Sequence, residues 1–219
     1  IKEFALRMGM EQAASDKYPI RTGLNVRDSH GTIVMHNPVS RIWTPDKVTY
    51  VAANEILAFG SNLQGKHGKG AALDAKLYHG AITNKGEGFM GEAYAIPTKK
   101  EPYVVMDVDD LKPGFANFIK WAKATPEKTI MLPEIGTNNA KFTPKQIVAA
   151  FGSDLVQPNI TIPKSFWSEL SYADKAKYMS LHKDDVGPGR GSALTMAIAK
   201  KEGKPFLDNP TTSLQVNTW

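Results

Sequence analysis

Phe59-Gly60-Ser61-Asn62-Leu63-Gln64-Gly65-Lys66-His67-Gly68-Lys69-Gly70-Ala71-Ala72 is the stretch on which the reading of this chain turns. An apolar run, Ile56–Phe59, leads into it and an alanine-rich run leads out, so it joins a strand to a helix expected over Ala71–His79. Gly65, Gly68 and Gly70 admit positive φ and let backbone N–H groups approach a ligand closely. The helix that follows points the positive end of its dipole at the same place. Those are the parts of a phosphate or diphosphate cradle. The spacing is neither GxxxxGK[ST] nor GxGxxG, and a tight strand-to-helix turn without a ligand is the other reading of the same residues.

Outward from this loop, strands and helices alternate. The pattern predicts strands over Ile56–Phe59, Tyr94–Pro97, Thr129–Pro133 and Asn159–Ile162, with helices over Ala71–His79, Lys112–Ala124 and Pro144–Phe151 between them. Strands separated by helices of this length imply a mainly parallel sheet covered on both faces, an α/β fold. Upstream, Thr32–His36 reads as a buried strand after the turn Asp28-Ser29-His30-Gly31. Downstream come a helical segment from Pro163 to Lys183, a glycine-rich loop Asp184–Gly191, a helix Ser192–Glu202 stopped by Gly203 and Pro205, and a strand Pro205–Leu207. The two flanks hold too little to fold alone and are expected to pair with each other around the central unit. Gly187, Gly189 and Gly191 ahead of a helix capped by Ser192 repeat the cradle chemistry, with Arg190 as a charge-assisted contact; a plain turn with an exposed Arg is the alternative.

Composition narrows the classes. With 219 residues, 42% of them hydrophobic, the chain can bury one large core or two small ones. The absence of cysteine removes disulfides, thiolate catalysis and cysteine-ligated zinc, and the five histidines form no metal-binding spacing, so no metal and no cofactor are expected. No apolar run reaches the roughly 20 residues that span a bilayer, and the chain reads as soluble and cytoplasmic, without a membrane partner. A net charge of +5 favours anionic partners, but the 27 Lys and Arg are scattered rather than gathered in one block. Starting at Ile1 and stopping after a polar run at Trp219, the sequence reads as a fragment.

Asn62-Leu63-Gln64-Gly65-Lys66-His67-Gly68-Lys69-Gly70-Ala71-Ala72-Leu73-Asp74-Ala75-Lys76 resembles the first ligand loop of macrodomains, above all the branch of terminal ADP-ribose glycohydrolases and antitoxins that remove ADP-ribose from DNA. Leu132-Pro133-Glu134-Ile135-Gly136-Thr137-Asn138-Asn139-Ala140-Lys141-Phe142 resembles the second loop, and the likeness covers about residues 50–163. The resemblance implies a three-layer α/β unit that binds ADP-ribose or a related NAD-derived nucleotide. It places Asn62 at the distal ribose, Gly68, Lys69, Gly70 and Ala71 along the diphosphate, and Gly136, Thr137 and Asn138 over it. Gly60, Ser61, Gly65 and Asn139 complete the implied binding set. Lys76 matches the branch's nucleophilic lysine, with Asp74 and His67 as further titratable candidates; surface positions on a helix and an ordinary loop histidine are the alternatives. A departure stands beside this: where the branch carries an acidic residue after the second glycine turn, the chain reads Asn138-Asn139-Ala140-Lys141. The resemblance therefore supports binding and leaves ADP-ribosyl hydrolysis open.

Arg21-Thr22-Gly23-Leu24-Asn25-Val26-Arg27-Asp28-Ser29-His30-Gly31-Thr32, Gly189-Arg190-Gly191-Ser192-Ala193-Leu194-Thr195 and Gly203-Lys204-Pro205 resemble pieces of the molybdenum-carrier family, Rossmann-like proteins of the SLOG group. His30 stands where that family has Asp, and its N-terminal glycine-rich loop has no counterpart here. The implied organisation is a discontinuous Rossmann-like domain over 1–39 and 184–219, a macrodomain-like unit over 40–163 inserted into it, and a helical connector over 164–183. The expected partner is an ADP-ribose-like or NAD-derived small molecule, free or carried on an ADP-ribosylated macromolecule, as in phage–host conflict. The other class left open is a non-enzymatic module on nucleic acid.

Overall fold

The computed structural model describes residues 54–187 and 190–210, together with 26–28, 30, 32–36, 39–40, 42–45, 48 and 51–52. Among them no helix is long and apolar enough to cross a membrane. The chain is α/β, built on a six-stranded mixed sheet. β3 (Glu55–Asn62), β5 (Ala93–Glu101), β7 (Thr129–Met131) and β8 (Ile160–Thr161) run parallel in the order β5-β3-β7-β8. β4 (Gly88–Met90) and β6 (Val104–Val105) lie antiparallel to β5, and Trp43 adds a parallel bridge to Ile162 at the other edge.

Alternation along the strands feeds two cores. Ile56, Ala58, Tyr94, Ile96, Ile130 and Leu132 face one side, where α2 (Val108–Ala124) and α3 (Pro144–Phe151) cover them. Leu57, Phe59, Ala93, Ala95 and Met131 face the other, against Ala72 and Ala75 of α1 (Ala71–Tyr78). On α2 the buried residues Leu111, Phe115, Phe118, Ile119 and Ala122 recur at helical spacing, and the ring of Phe115 stacks on Phe151 of α3 at 3.8 Å. Each such aromatic side chain contributes about 1.5–3 kcal/mol by leaving water.

α3 has the predicted bounds because its start is written in the sequence. Thr143 accepts from the Gln146 N–H while the Gln146 side chain accepts from the Thr143 N–H, with Pro144 at the first helical position. α2 instead starts at Val108, four residues before the expected Lys112, although Pro113 lies inside it. The proline has a helical φ and forfeits only one backbone bond, whereas Leu111 upstream is fully buried and Asp109 and Asp110 favour the dipole of the first turn. The segment expected to be one helical connector is two helices, α4 (Lys164–Glu169) and α5 (Tyr172–His182), because Ser171 caps the second by accepting from the Asp174 N–H. Both pack into the main core through Phe166 and Tyr178.

The flanks meet each other. β1 (Thr32–His36) pairs in parallel with β10 (Phe206–Pro210), and β2 (Val39–Ser40) pairs antiparallel with β9 (Val186–Gly187). Between β9 and β10 runs α6 (Arg190–Lys201), two residues earlier than expected, which puts Arg190, Gly191 and Ser192 in its first turn instead of ahead of it. Its last turn is tied to the central unit by a Lys200–Glu92 ion pair and by Lys201 over the Tyr78 ring at 5.1 Å.

Tyr178 joins α5 to the sheet edge. Its hydroxyl donates to the Ile42 carbonyl at 2.5 Å and accepts from the Ile162 N–H at 3.1 Å. Tyr178→Phe leaves both groups buried without that partner, so the variant is expected to lose about 1–3 kcal/mol, read as a lower denaturant midpoint at unchanged m-value.

Candidate functional site

The site is built at the carboxyl ends of two neighbouring strands. From β3 the chain leaves through α1 to β5 on one side; from β7 it leaves through α3 to β8 on the other. Connections that part in opposite directions open a crevice between the two strand ends, the place where open α/β sheets accommodate ligands. The loops that flank it are 62–70 and 132–143.

The first loop is locked rather than slack. Asn62, buried at the end of β3, donates its Nδ2 to the Lys66 carbonyl at 3.1 Å and accepts the Lys66 N–H on Oδ1 at 3.2 Å, closing a ring across the loop. The segment 81–86 then fastens the loop from behind. The Asn84 N–H donates to the Gly65 carbonyl at 2.9 Å, Lys66 Nζ to Asn84 Oδ1 at 2.7 Å, and His67 Nε2 to the Lys85 carbonyl at 3.1 Å. Gly65 has φ +64°, and a Cβ there would stand 2.3 Å from the Lys85 nitrogen. Only glycine fits.

Past this lock the loop opens outward. Gly68, Lys69 and Gly70 are exposed, and nothing lies within 4 Å of where a Cβ would stand on either glycine. Gly70 is the N-cap of α1 with φ +59°, and no side chain caps the helix. The Leu73 and Asp74 N–H groups turn back to the Gly70 carbonyl, and the N–H groups of Gly70-Ala71-Ala72 stand at the positive end of the helix dipole with no side chain capping them.

The second loop crosses close to the first. A Cβ on Gly60 would meet Thr98 Oγ1 at 3.5 Å and the Gly136 nitrogen at 3.7 Å, so β3, β5 and the second loop converge there. Ser61 is buried beneath, its carbonyl accepting from Thr98 Oγ1 at 3.3 Å. Gly136 has φ +75° with Ile147 Cδ1 3.0 Å and Phe142 Cδ2 3.2 Å from its would-be Cβ. Thr137 Oγ1 donates to the Glu134 carbonyl at 2.9 Å, while Asn138 and Asn139 are exposed at the tip. The structure thus brings Gly60, Ser61, Asn62, Gly136 and Thr137 to one end of the sheet. The amide of Asn62 is engaged within its own loop, which leaves one N–H and one lone pair for a ligand.

The three titratable candidates fall into different settings. Lys76 is exposed on α1, and among the described residues neither it nor Lys69 makes an ion pair or hydrogen bond. Asp74 is half-buried in the first turn of α1, where its charge favours the helix dipole. His67 is buried edge-on against Phe59 at 5.1 Å, and its Nδ1 has no partner among the described residues. Burial holds its imidazole below the ordinary value, against the pull of the Lys85 and Ile82 carbonyls, and the nearby Lys76 ammonium adds to the depression. The ring is thereby held between Phe59 and the Lys85 carbonyl, on the side of the loop that faces 81–86. Gly189 and the motif at 18–25 lie outside the described residues.

Three parts of the site carried little sequence signal. Thr98 joins the loops from β5, and the 81–86 clamp works through two backbone groups and the Asn84 side chain, with Asn84-Lys85-Gly86 its visible mark. Glu134 sits before the second glycine turn and accepts from Ser165 Oγ, so the carboxylate near this loop precedes the turn instead of following it.

Gly65→Ala combines a forbidden contact with a left-handed φ and is expected to lower the melting temperature by several degrees and to speed amide exchange across 62–70. His67 gives a pH test. Its folded-state value lies below that of the unfolded chain, so the unfolded state binds more protons as pH falls. Its stabilisation is whole above about pH 6.5 and declines below it, by at most about 1.4 kcal/mol per pH unit. His67→Gln is expected to flatten that slope in denaturant titrations between about pH 6.5 and 5. Compared with known proteins, the chain matches no family model, no curated protein and no solved structure.

Proposed function

We propose that the chain binds ADP-ribose or a related NAD-derived nucleotide in the crevice between β3 and β7. The observation that carries this reading is the convergence of the two macrodomain-like loops on that crevice, one offering uncapped helix amides and the other a glycine turn. A diphosphate meets N–H donors and a helix dipole there, with the Lys69 ammonium on the same loop. The central α/β unit is then a macrodomain-like layer inserted in a Rossmann-like domain, a reading supported by the pairing of β1 with β10 and of β2 with β9. The setting that fits such a ligand is the cytoplasm. Cleavage of an ADP-ribosyl bond has a narrower basis: Lys76, after giving up a proton, bonds to the anomeric carbon as the bond from that carbon to the modified group breaks and the departing group takes up a proton, with Glu134 in the second loop and Asp74 on the helix as the carboxylates at hand.

Thermal unfolding with ADP-ribose, NAD and AMP tests the reading. A ligand specific for the folded state adds about 2.7 kcal/mol at 100 times its Kd, a shift of several degrees. ADP-ribose is expected to produce that shift in the wild type, whereas Gly70→Glu, which puts a carboxylate in the mouth of the cradle, abolishes it relative to its own ligand-free midpoint. No shift with any of the three at millimolar concentration overturns the proposal. If binding holds, Lys76→Ala is expected to keep the shift and lose any release of ADP-ribose from a modified substrate.

A further inference from the structure

On the far side of the first loop from the nucleotide crevice, the carboxyl end of β5 carries a second opening. It is an open cleft of about 350 Å³ lined by the apolar Leu63, Pro97, Met106 and Pro113 and by the charged Glu87, Asp110 and Lys100, the last two paired with each other. Its apolar surface continues onto the strand that feeds it. Tyr103, Val104 and Val105 precede Met106 along the chain and are 97%, 46% and 40% exposed, and Leu63 is 52% exposed. On its far edge β6 has no strand partner among the described residues.

Charge here runs against that of the whole protein. The chain is +5 overall, yet Glu87, Glu101, Asp107, Asp109 and Asp110 gather around this end of β5 and α2, with Lys100 held by Asp110 at 2.9 Å and Lys112 by Asp109 at 2.7 Å. Glu87 accepts from Asn117 Nδ2 at 2.8 Å through Oε1, and among the described residues no hydrogen bond engages Oε2. A phosphate backbone laid over these carboxylates meets repulsion. A cation with an apolar stem meets Leu63, Pro97, Met106 and Pro113 along the stem and Glu87 at its head.

We propose that this cleft and the β6 edge dock an extended segment of a partner protein, adding to the exposed edge of β6 and placing a basic side chain in the cleft. Edge addition supplies backbone hydrogen bonds, the Tyr103–Val105 ridge takes the apolar side chains that alternate with it, and the Glu87 carboxylate selects Arg or Lys. The partner is therefore a polypeptide and not a nucleic acid, whatever occupies the crevice on the other side of the loop.

Fluorescence anisotropy on the full chain tests this with three labelled probes: a twelve-residue peptide alternating Arg and Val, its counterpart with Glu for Arg, and a twelve-nucleotide single strand. The Arg-Val peptide is expected to bind, and Glu87→Lys to weaken it by about tenfold or more. Val104→Asp separates docking from simple attraction: it adds negative charge, so non-specific Coulomb binding would tighten, whereas docking on the ridge weakens. Melting temperatures within about a degree of wild type show that both surface variants are folded, and an unchanged ADP-ribose response keeps this result apart from that of the crevice. Failure of the Arg-Val peptide to bind at millimolar concentration, binding indifferent to both substitutions, or displacement of the peptide by the oligonucleotide overturns the proposal.

Discussion

At Gly65 and Gly86 two stretches of backbone lie so close that a methyl group on either would fall 2.3 Å from an atom of the other. The carboxyl end of the sheet depends on that approach. It lets 81–86 reach the Gly65 carbonyl and the side chains of Lys66 and His67, and the hydrogen bonds through Asn84 and Lys85 form because of it. A loop held in this way has lost its conformational freedom during folding, so a ligand has little ordering entropy left to oppose it. Stiffness also explains why exposed glycines at 68 and 70 coexist with an ordered strand-to-helix passage: the freedom glycine brings is cancelled one turn earlier.

The sheet divides labour between its edges. Toward β7 and β8, short strands and buried branched residues anchor the second loop through Gly136, Ile147 and Phe142. Toward β5 and β6, β5 ends in Lys99, Lys100 and Glu101, and Tyr103 with the two valines of β6 carries apolar side chains into water. Thr98 stands between the two, its hydroxyl on Ser61 and its methyl 3.6 Å from the would-be Cβ of Gly136. A change at that single threonine touches both loops.

Much of this architecture was legible in the sequence, and the reasons differ by element. The alternation of central strands and helices follows from apolar runs of the right length, and α3 from a capping box that local chemistry alone specifies. The start of α2 was not legible, because the burial of Leu111 that extends the helix back to Val108 is a tertiary fact. β4 is three residues long, too short for a period to show. The break between α4 and α5 was written in Ser171 and Asp174 yet masked by the charge and aromatics around it. At the crevice, Gly65, Gly70 and Gly136 stand where φ is positive and another residue type is strained, whereas Gly60 and Gly68 carry no such constraint. The use of Asn62 as a loop tie could not be read, since the same side chain at the same position can serve its own backbone or a ligand.

The pairing of β1 with β10 has a bearing on how the chain comes together in time. Roughly 170 residues separate the two strands, and closing a loop of that length in an unfolded chain is entropically unfavourable before any contact rewards it. Folding of the central sheet shortens the effective tether, because it carries β2 and β9 toward each other from the two sides of an already compact body. The terminal strands therefore assemble late and separate first. In a newly made chain the crevice between β3 and β7 is complete before the flanks have met.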